Sequence, residues 1–491
     1  MKETMRKTTV FVAAVTLVSV LATPLAFGQQ ISDALRVSRQ GVHFDARALG
    51  LGNTYSTIGN EFSAVRFNPA TMALSRKFSY ALTINSNAFR NSADYTGSNA
   101  VATTGSSSGS QAGIIVPFSL DSTRKLVIGL GYTKAKDYSL GYKYEGFTGS
   151  SPSFIEVLAE RANPAAKDLG LSYSTFDSSG NFSGDRTILG PGLYEKGYLL
   201  DDGGLTHYSI GFSAEAAHNV FFGVSGSYND GLYTSDLELS ASDINDLYPT
   251  STLTVPGNSQ TAGFVSTDYR VVRQKRYSGW DVRFGLLYKL ENFIGLSASF
   301  KVPSSHQVDE DMFVSGTSQF VGDRSVVVPE TKSTSSYAFA PPVEVTVGAM
   351  MNLWILTAAA EASYLDYRDM AITSGVGELP DRTAINKRIK DELSAVLNMN
   401  AGVEFHLPFT GLTTRVGGIY QPSPYKADPA RNGQKYLTAG FGVNANRQMY
   451  FDLAYAYGWR GENKDQQSGG NASAEQSITY HTVMFTMRFS P

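Results

Sequence analysis

The chain has 491 residues, a formal net charge of −3 and no cysteine. The lack of cysteine excludes disulfides, thiol catalysis and cysteine-ligated metal sites. The small net charge indicates neither a nucleic-acid-binding surface nor an acidic tail, so no nucleic-acid partner is expected.

The first 28 residues have the order of a secretory signal peptide. Three basic residues lie within the first seven positions, and an apolar run over residues 10–27 follows. The small residues at the end of this run predict cleavage before Gln29. A membrane-anchoring helix is the alternative, and Pro24 argues against it.

Beyond residue 28, no apolar run reaches the roughly 18–20 residues that a membrane-spanning helix needs. The segment 280–302 alternates instead: Trp280 and Val282 are apolar, and Asp281 and Arg283 are charged. Successive side chains of a strand point to opposite faces, so this strand has one apolar and one polar face. In lipid, only a closed barrel satisfies the backbone of such strands. We therefore predict an all-β fold, a transmembrane antiparallel β-barrel with lipid outside and polar groups inside.

Similar alternating segments recur along the whole chain and predict about fourteen strands. They lie near residues 78–89, 111–120, 125–133, 205–217, 220–229, 280–289, 294–302, 342–351, 353–367, 396–407, 412–421, 435–443, 449–457 and 479–489. The connections between them alternate between turns of about two to five residues and long loops. The long loops are predicted at residues 87–110, 146–204, 230–276, 303–335, 370–394, 423–434 and 461–476.

This alternation of connections is typical of outer-membrane barrels, which have short periplasmic turns and long external loops. It predicts that both termini are periplasmic. A soluble sandwich is the alternative, but it has no reason to place every long loop at one end. Within the longest loop, Pro152 after Ser151 predicts the start of a short helix, which either shapes the pore mouth or packs on neighbouring loops.

Residues 29–76 form a segment too long to be a simple lead-in to the first strand. A barrel of about fourteen strands has a lumen that its own side chains do not fill. We therefore predict that residues 29–76 are a hatch inside the lumen and that residues 77–491 form the barrel.

Two motifs characterise the predicted hatch. Gly50 and Gly52 permit close backbone approach or a positive φ, and Asn68 before Pro69 favours a turn. A dinucleotide-binding loop is the alternative for the first motif, but Tyr55 stands where its third glycine belongs.

The hatch motifs Arg47-Ala48-Leu49-Gly50-Leu51-Gly52 and Ala64-Val65-Arg66-Phe67-Asn68-Pro69-Ala70 resemble those of the FadL/TodX-like long-chain fatty acid transporter family. Residues 341–348, 402–405 and 452–455 are also similar to strands of that family. The resemblance implies a monomeric fourteen-stranded barrel with a lumen blocked by the hatch. It implies passive uptake of hydrophobic small molecules, such as long-chain fatty acids or hydrocarbons. These are captured by outer loops and leave sideways through a kink in the third strand. The family's acidic residues before Asn-Pro-Ala are reduced here to Glu61.

The predicted third strand contains two candidate positions for such a kink. Gly129 and Gly131 lie on its inner face. Lys134 and Lys136 then take the parity of its lipid-facing residues, where a charge costs free energy at mid-depth. We expect that the strand has left the membrane at these lysines, and an inward bulge is the alternative.

A set of charged residues faces the predicted lumen, with both signs in similar numbers. The candidate ligand-contacting members are Arg283, Lys289, Glu344, Glu361, Glu404, Arg415 and Asp452, and the set also includes Asp281, Lys301 and Arg488. One interpretation is that they pair with one another and with the hatch. The other is that an arginine or lysine among them binds a substrate carboxylate. No metal-ligand spacing and no cofactor motif is present in the sequence.

The sequence leaves two other functional classes as alternatives. An outer-membrane hydrolase needs a histidine beside a serine, and His207 with Ser209 is the one tempting pair. A hatch-bearing barrel could instead serve as a scaffold for secretion or surface-protein attachment, using the loop at residues 230–276. We favour the channel and expect no enzymatic activity. The expected partners are the hydrophobic ligand, outer-membrane lipid, lipopolysaccharide, and the barrel assembly machinery that reads a last strand ending in Phe489.

Overall fold

The fold is an antiparallel β-barrel. A computed structural model describes residues 24–119, 125–149, 152–161, 163–249, 261–291, 293–376, 382–446, 448–464 and 474–491. The strands are β1 Ser79–Tyr95, β2 Ser98–Ser119, β3 Lys125–Asp137, β4 Leu140–Phe147, β5 Tyr173–Phe176, β6 Phe182–Arg186, β7 Tyr194–Ala217, β8 Val220–Ser242, β9 Phe264–Leu290, β10 Ile294–Pro303, β11 His306–Phe320, β12 Arg324–Ala340, β13 Glu344–Leu353, β14 Leu356–Asp366, β15 Ala371–Val376, β16 Ala395–Leu407, β17 Leu412–Gln421, β18 Gln434–Asn444, β19 Met449–Lys464 and β20 Ala474–Phe489.

Fourteen of these strands close into a ring, which confirms the predicted fold class and strand number. The ring runs β1, β2, β3, β7, β8, β9, β10, β13, β14, β16, β17, β18, β19 and β20. It closes between the first and last strands, where Tyr80 lies opposite Phe489 and Asp94 lies opposite Glu475. Closure removes the free strand edges that an open sheet would leave.

The predicted alternation holds in the ring. On β9, Trp280 is 60% exposed and Phe284 and Leu286 are also exposed, whereas Asp281 and Arg283 are buried. The outer surface is therefore a band of large apolar side chains around a polar interior. Among the described residues, no helix is long and apolar enough to cross a membrane.

One end of the barrel has short turns, as predicted; we call it the short-turn end. At the other end, several predicted loops are continuations of the strands. Residues 87–95 and 98–110 extend β1 and β2 as far as a two-residue turn at Thr96–Gly97, where both residues have positive φ. Similarly, β11 and β12 form a hairpin that continues the sheet beside β9. The predicted turn at residues 121–124 lies outside the described residues.

A small lid covers part of the extended end. Its helices are α4 Phe154–Glu160 and α5 Pro164–Asp168. Ser153 caps α4 in a capping box with Glu156, while the predicted cap Ser151 lies outside the described residues. Glu195 on β7 accepts hydrogen bonds from the Phe154 backbone N–H at 2.8 Å and the Tyr95 hydroxyl at 3.0 Å. These contacts fix the lid to the sheet, with an apolar cluster beneath it.

The segment before β1 lies inside the ring. It contains α1 Pro24–Ser38, α2 Ala46–Gly50, α3 Ala64–Phe67 and a 3-10 helix at Pro69–Leu74. Helix α1 begins within the predicted signal peptide. The remaining described helices are α6 Arg382–Glu392 and 3-10 turns at Tyr367–Asp369 and Ala430–Asn432. The apolar face of α1 packs on α6 and the inner wall.

Candidate functional site

The Asn68-Pro69-Ala70 motif fixes the hatch to the wall. The Asn68 side chain caps the following 3-10 helix by accepting from the Ala70 backbone N–H at 3.1 Å. Its amide group donates to the carbonyls of Ser56 at 2.9 Å and Leu286 at 3.1 Å. Gly285 makes the approach possible, because a Cβ there would lie 1.9 Å from Asn68 Oδ1. The turn predicted at Asn68 is therefore also an anchor to β9.

The glycine motif of the hatch lies against another part of the wall. A Cβ on Gly50 would lie 3.0 Å from the Cα of Gly440 on β18. Gly52 has φ +62, and a Cβ there would lie 2.7 Å from the backbone nitrogen of Gly418 on β17. Thr438 bonds both residues, donating to Gly50 O at 3.2 Å and accepting from the Gly52 N–H at 3.1 Å. Both reasons given for glycine, close approach and positive φ, are found at this contact.

A chain of buried ion pairs joins the hatch to β16, β17 and β19. Arg47 binds both carboxylate oxygens of Glu404, at 3.1 and 3.2 Å, and Glu61 of the hatch at 2.9 Å. Arg415 lies between Glu404 at 2.6 Å and Asp452 at 2.5 Å. Arg488 of β20 completes the chain by pairing with Glu61. Because these ions are buried, each depends on its partner for compensation.

A second group of ion pairs lies on β9, β10 and β13. Arg283 pairs with Glu344 at 3.0 Å and donates to the Phe67 carbonyl of the hatch at 3.3 Å. Lys301 pairs with the other oxygen of Glu344 at 2.8 Å. Arg66 of the hatch pairs with Asp281 at 3.0 Å.

Six of the seven candidate lumen residues are therefore linked to the hatch, either directly or through a chain of ion pairs. Glu361, the sixth, accepts from the Ser56 backbone N–H at 3.0 Å. Lys289 is not brought to these networks, since it lies half-buried near the short-turn end of β9. This arrangement agrees with the interpretation that the charged lumen residues pair with one another and with the hatch. Asp281, Lys301 and Arg488 are paired in the same way.

Two hatch residues have pKa values shifted by burial. Burial raises the pKa of Asp45 to about 7, and the nearby Glu61 carboxylate adds to the shift. Asp45 also caps α2 by accepting from the Ala48 N–H at 2.8 Å. Burial lowers the pKa of His43 to about 4, so this imidazole is neutral at pH 7.

The irregularity of the third strand is not at the predicted glycines. Pairing of β3 with β2 and β7 is regular through Gly129 and Gly131. The register with β7 shifts between Lys134 and Lys136, so Ala135 is a bulge. The two glycines instead make room for hatch side chains, since a Cβ on Gly129 would lie 2.8 Å from Met72 Sδ.

The Lys136 side chain lies on the inner side of the wall, not on the outer face that its parity predicted. Its ammonium points inward and donates to the carbonyls of Arg36 at 2.9 Å and Val37 at 2.8 Å, near the C-terminal end of α1. The hatch also holds the bulge, because the His43 N–H donates to the Ala135 carbonyl at 3.3 Å. The inward bulge, the alternative in the sequence, is what the structure has.

A gap in strand pairing accompanies the bulge; we call it the β2–β3 gap. The two strands pair only from Ser119 opposite Lys125 to Gln111 opposite Thr133. Beyond Thr133, β3 pairs with β7 alone, and β2 pairs with β1 alone. The far side of the gap is bridged by side chains, since Asp137 bonds Ser106 and accepts from Asn87 at 2.7 Å.

A large cavity in the lumen has a volume of about 730 Å³. It extends from Leu199 and Leu237, beneath the lid, to Ala135 and Asp137 at the β2–β3 gap. Its size is in the range of small-molecule sites. Arg39 and Lys136 line it and were not among the predicted candidates. The one sequence signal for Lys136 as a cavity residue is that Lys134 and Lys136 occupy the alternate positions of the strand that are otherwise apolar.

His207 and Ser209, the candidate hydrolase pair, do not bond each other. Ser209 bonds the hydroxyl of Ser227 at 2.8 Å. The His207 ring bonds the side chain of Asn229, which in turn donates to Asp281 at 2.9 Å. Each residue thus has a different partner on β8.

Comparison with known proteins identifies the fold. No protein-family model matches the sequence, and no curated protein matches it. The solved structure of the toluene transporter TodX of Pseudomonas putida is similar, with a TM-score of 0.55 and 17% identity over 92% of this chain and 99% of that one. A FadL homologue of Pseudomonas aeruginosa is also similar, with a TM-score of 0.52 and 11% identity over 92% of this chain and 100% of that one. This chain therefore has the barrel fold of these two proteins, as the hatch motifs indicated.

Proposed function

We propose that the protein is an outer-membrane channel for the passive uptake of hydrophobic small molecules, long-chain fatty acids or hydrocarbons. The apolar exterior is suited to lipid, and closure of the ring satisfies the strand backbone there. Similarity to solved barrels described as a toluene transporter and a FadL homologue supports the same function. The short-turn end and both termini face the periplasm, and the lid faces outward.

The observation that carries this proposal is the course of the cavity. It begins under the apolar lid and ends at the β2–β3 gap, where the wall lacks a strand-to-strand ladder. Towards the short-turn end, the buried ion pairs of Arg47 and Arg415 hold the hatch against the wall. A ligand captured at the lid has a sideways route into the membrane, and the hatch bars the axial route.

Cross-linking the gap tests the route. The chain has no cysteine, and Ser106 and Asp137 are bonded across the gap, so Ser106→Cys with Asp137→Cys can form a disulfide there. In liposomes, oxidation should reduce uptake of a labelled fatty acid at least tenfold, and reductant should restore it. The matched control is Ser86→Cys with Ser107→Cys, an exposed pair already opposite each other on the regularly paired β1 and β2, which should be insensitive to oxidation.

Two results would count against the proposal separately. Equal uptake by the oxidised and reduced gap variant would refute the lateral route. A hatch-intact wild-type barrel that passes no hydrophobic ligand at all would refute the channel.

A second candidate function is a scaffold for secretion or surface-protein attachment. It is favoured by the β5–β6 hairpin, where Phe176 is 64% and Phe182 is 47% exposed, because exposed aromatic pairs are common at protein interfaces. Cells lacking the protein distinguish the two: lost fatty-acid uptake supports the channel, and normal uptake with altered surface-protein export supports the scaffold.

A further inference from the structure

A second, smaller cavity lies where the hatch chain crosses the lumen. Its volume is about 70 Å³, several times the roughly 10–15 Å³ that one water requires. Residues 37–41 of the hatch separate it from the large cavity, and Arg39 and Lys136 line both. We call it the hatch pocket.

The hatch pocket has an excess of positive charge. Five cationic side chains line it: Arg39, Arg66, Lys136, Arg283 and Lys301. The carboxylates in its lining are Asp281, Glu344 and Glu361. Arg66 and Arg283 are buried, whereas Arg39, Lys136 and Lys301 are partly exposed. An excess of positive charge in such a pocket is unfavourable unless an anion compensates it.

Two of these cations have no carboxylate partner. Lys136 is bonded to the backbone carbonyls of Arg36 and Val37. Arg39 makes a backbone bond to the Leu35 carbonyl, and its guanidinium has no hydrogen bond or ion pair within the described ranges. By contrast, Arg283 and Lys301 share Glu344, and Arg66 binds Asp281.

The paired arginines also keep free donors. The Nε–H of Arg66 and the Nε–H of Arg283 are buried and lack an acceptor in the part of the chain that the structure describes. Arg66 is 8% exposed and Arg283 is 5% exposed. A buried donor without an acceptor costs free energy that an added acceptor would recover. A planar anion with two oxygens suits guanidinium donors particularly well.

We propose that the hatch pocket is an anion site for one carboxylate-sized group, bound by Arg39, Arg66 and Arg283. Two sources can supply this chemistry. One is a free small anion that strengthens hatch docking. The other is the carboxylate head of an amphipathic ligand with its chain in the large cavity, and only this source rests on the proposed uptake function.

The site is tested by direct binding to the purified full-length barrel in detergent, at fixed ionic strength. Formate is the small probe, and dodecanoate with the neutral dodecanol as its matched partner is the amphipathic probe. Calorimetry gives affinities, and anomalous diffraction from crystals grown in bromide gives the position. We expect a bromide peak between Arg39, Arg66 and Arg283, and saturable formate binding.

The variants are chosen so that folding is retained. Arg39→Gln removes a cation with no side-chain partner, and Arg283→Lys keeps the charge beside Glu344 but removes Nε–H. Each should weaken formate binding about tenfold. Arg90→Gln, on the exposed face of β1, is the control and should bind as the wild type does.

The outcomes separate the two sources and the two proposals. If dodecanoate displaces formate and dodecanol does not, the pocket takes the head of an amphipath. If formate and bromide bind but dodecanoate does not compete, the site serves a free anion, and the uptake proposal is unaffected. Absence of bromide from the pocket, or unchanged formate binding in both variants, would overturn the anion site even if uptake is confirmed.

Discussion

Replacing Asn68 with alanine should undock the hatch. The side chain is fully buried and makes the cap to Ala70 and the bonds to the Ser56 and Leu286 carbonyls. Loss of an N-cap costs about 1 kcal/mol, and each of the other two bonds contributes about 1 kcal/mol. The total of about 3 kcal/mol raises the population of the undocked hatch roughly 100-fold.

Hydrogen exchange measured by mass spectrometry checks this value. Amides of the hatch should exchange about 100-fold faster in Asn68→Ala, while amides at residues 316–328 of the β11–β12 hairpin serve as an unchanged internal reference. Asn99→Ala is the matched control, because Asn99 is exposed and its side chain bonds Ser92 alone among the described residues. Hatch exchange within about twofold of that control would show that Asn68 does not carry the docking energy.

Three further predictions concern the hatch and its contacts. Gly285→Ala should accelerate hatch exchange as Asn68→Ala does, because the new Cβ meets Asn68 Oδ1, and the double variant should show less than the sum of the two. Asp45→Asn should stabilise the protein by about 4 kcal/mol at pH 8 in thermal unfolding. Since burial raises the folded pKa of Asp45 to about 7, its stabilising contribution is full below the unfolded pKa near 4 and is lost as the pH rises through 7; a benefit that is constant from pH 5 to pH 8 would contradict this. Lys275→Met removes the 2.5 Å partner of the buried Asp33 of α1, which keeps its ion pair with Arg36, so α1 should become more protease-sensitive at a cost of about 2–3 kcal/mol for one charge-assisted bond, whereas Lys332→Met at the exposed pair with Asp311 should have little effect.

Hydrophobic alternation predicted the membrane-level strands because one face must be apolar and the other polar. Trp280 and Asp281 show this rule, and the short turn at His218–Asn219 fixes the register between β7 and β8. The pairing of Glu404 with Arg415 could also be predicted from the sequence, because opposite charges on the inner faces of neighbouring strands compensate each other.

The extended strand ends, the bulge in β3 and the unpaired arginine donors were not predicted, because no alternation or charge pattern in the sequence indicates them. Beyond Ile84, towards the extended end, the exposed face of β1 continues with Ser86 and Arg90. This part of the strand therefore has no apolar alternation, and its sequence resembles that of a loop. A bulge adds one residue and reverses parity, so the sequence left the inward direction of Lys136 open. Whether the Nε–H groups of Arg66 and Arg283 find an acceptor depends on distances between the hatch and the wall, and a local sequence pattern does not determine these distances.

The strand that closes the ring is also bonded to the hatch. The Ala46 N–H donates to the Thr486 hydroxyl of β20 at 2.9 Å, and Glu61 pairs with Arg488 of the same strand. On its other side β20 pairs with β1, from Tyr80 opposite Phe489 to Asp94 opposite Glu475. The last strand therefore ties the N-terminal segment and the closing seam together, so a change that loosens one removes contacts that support the other.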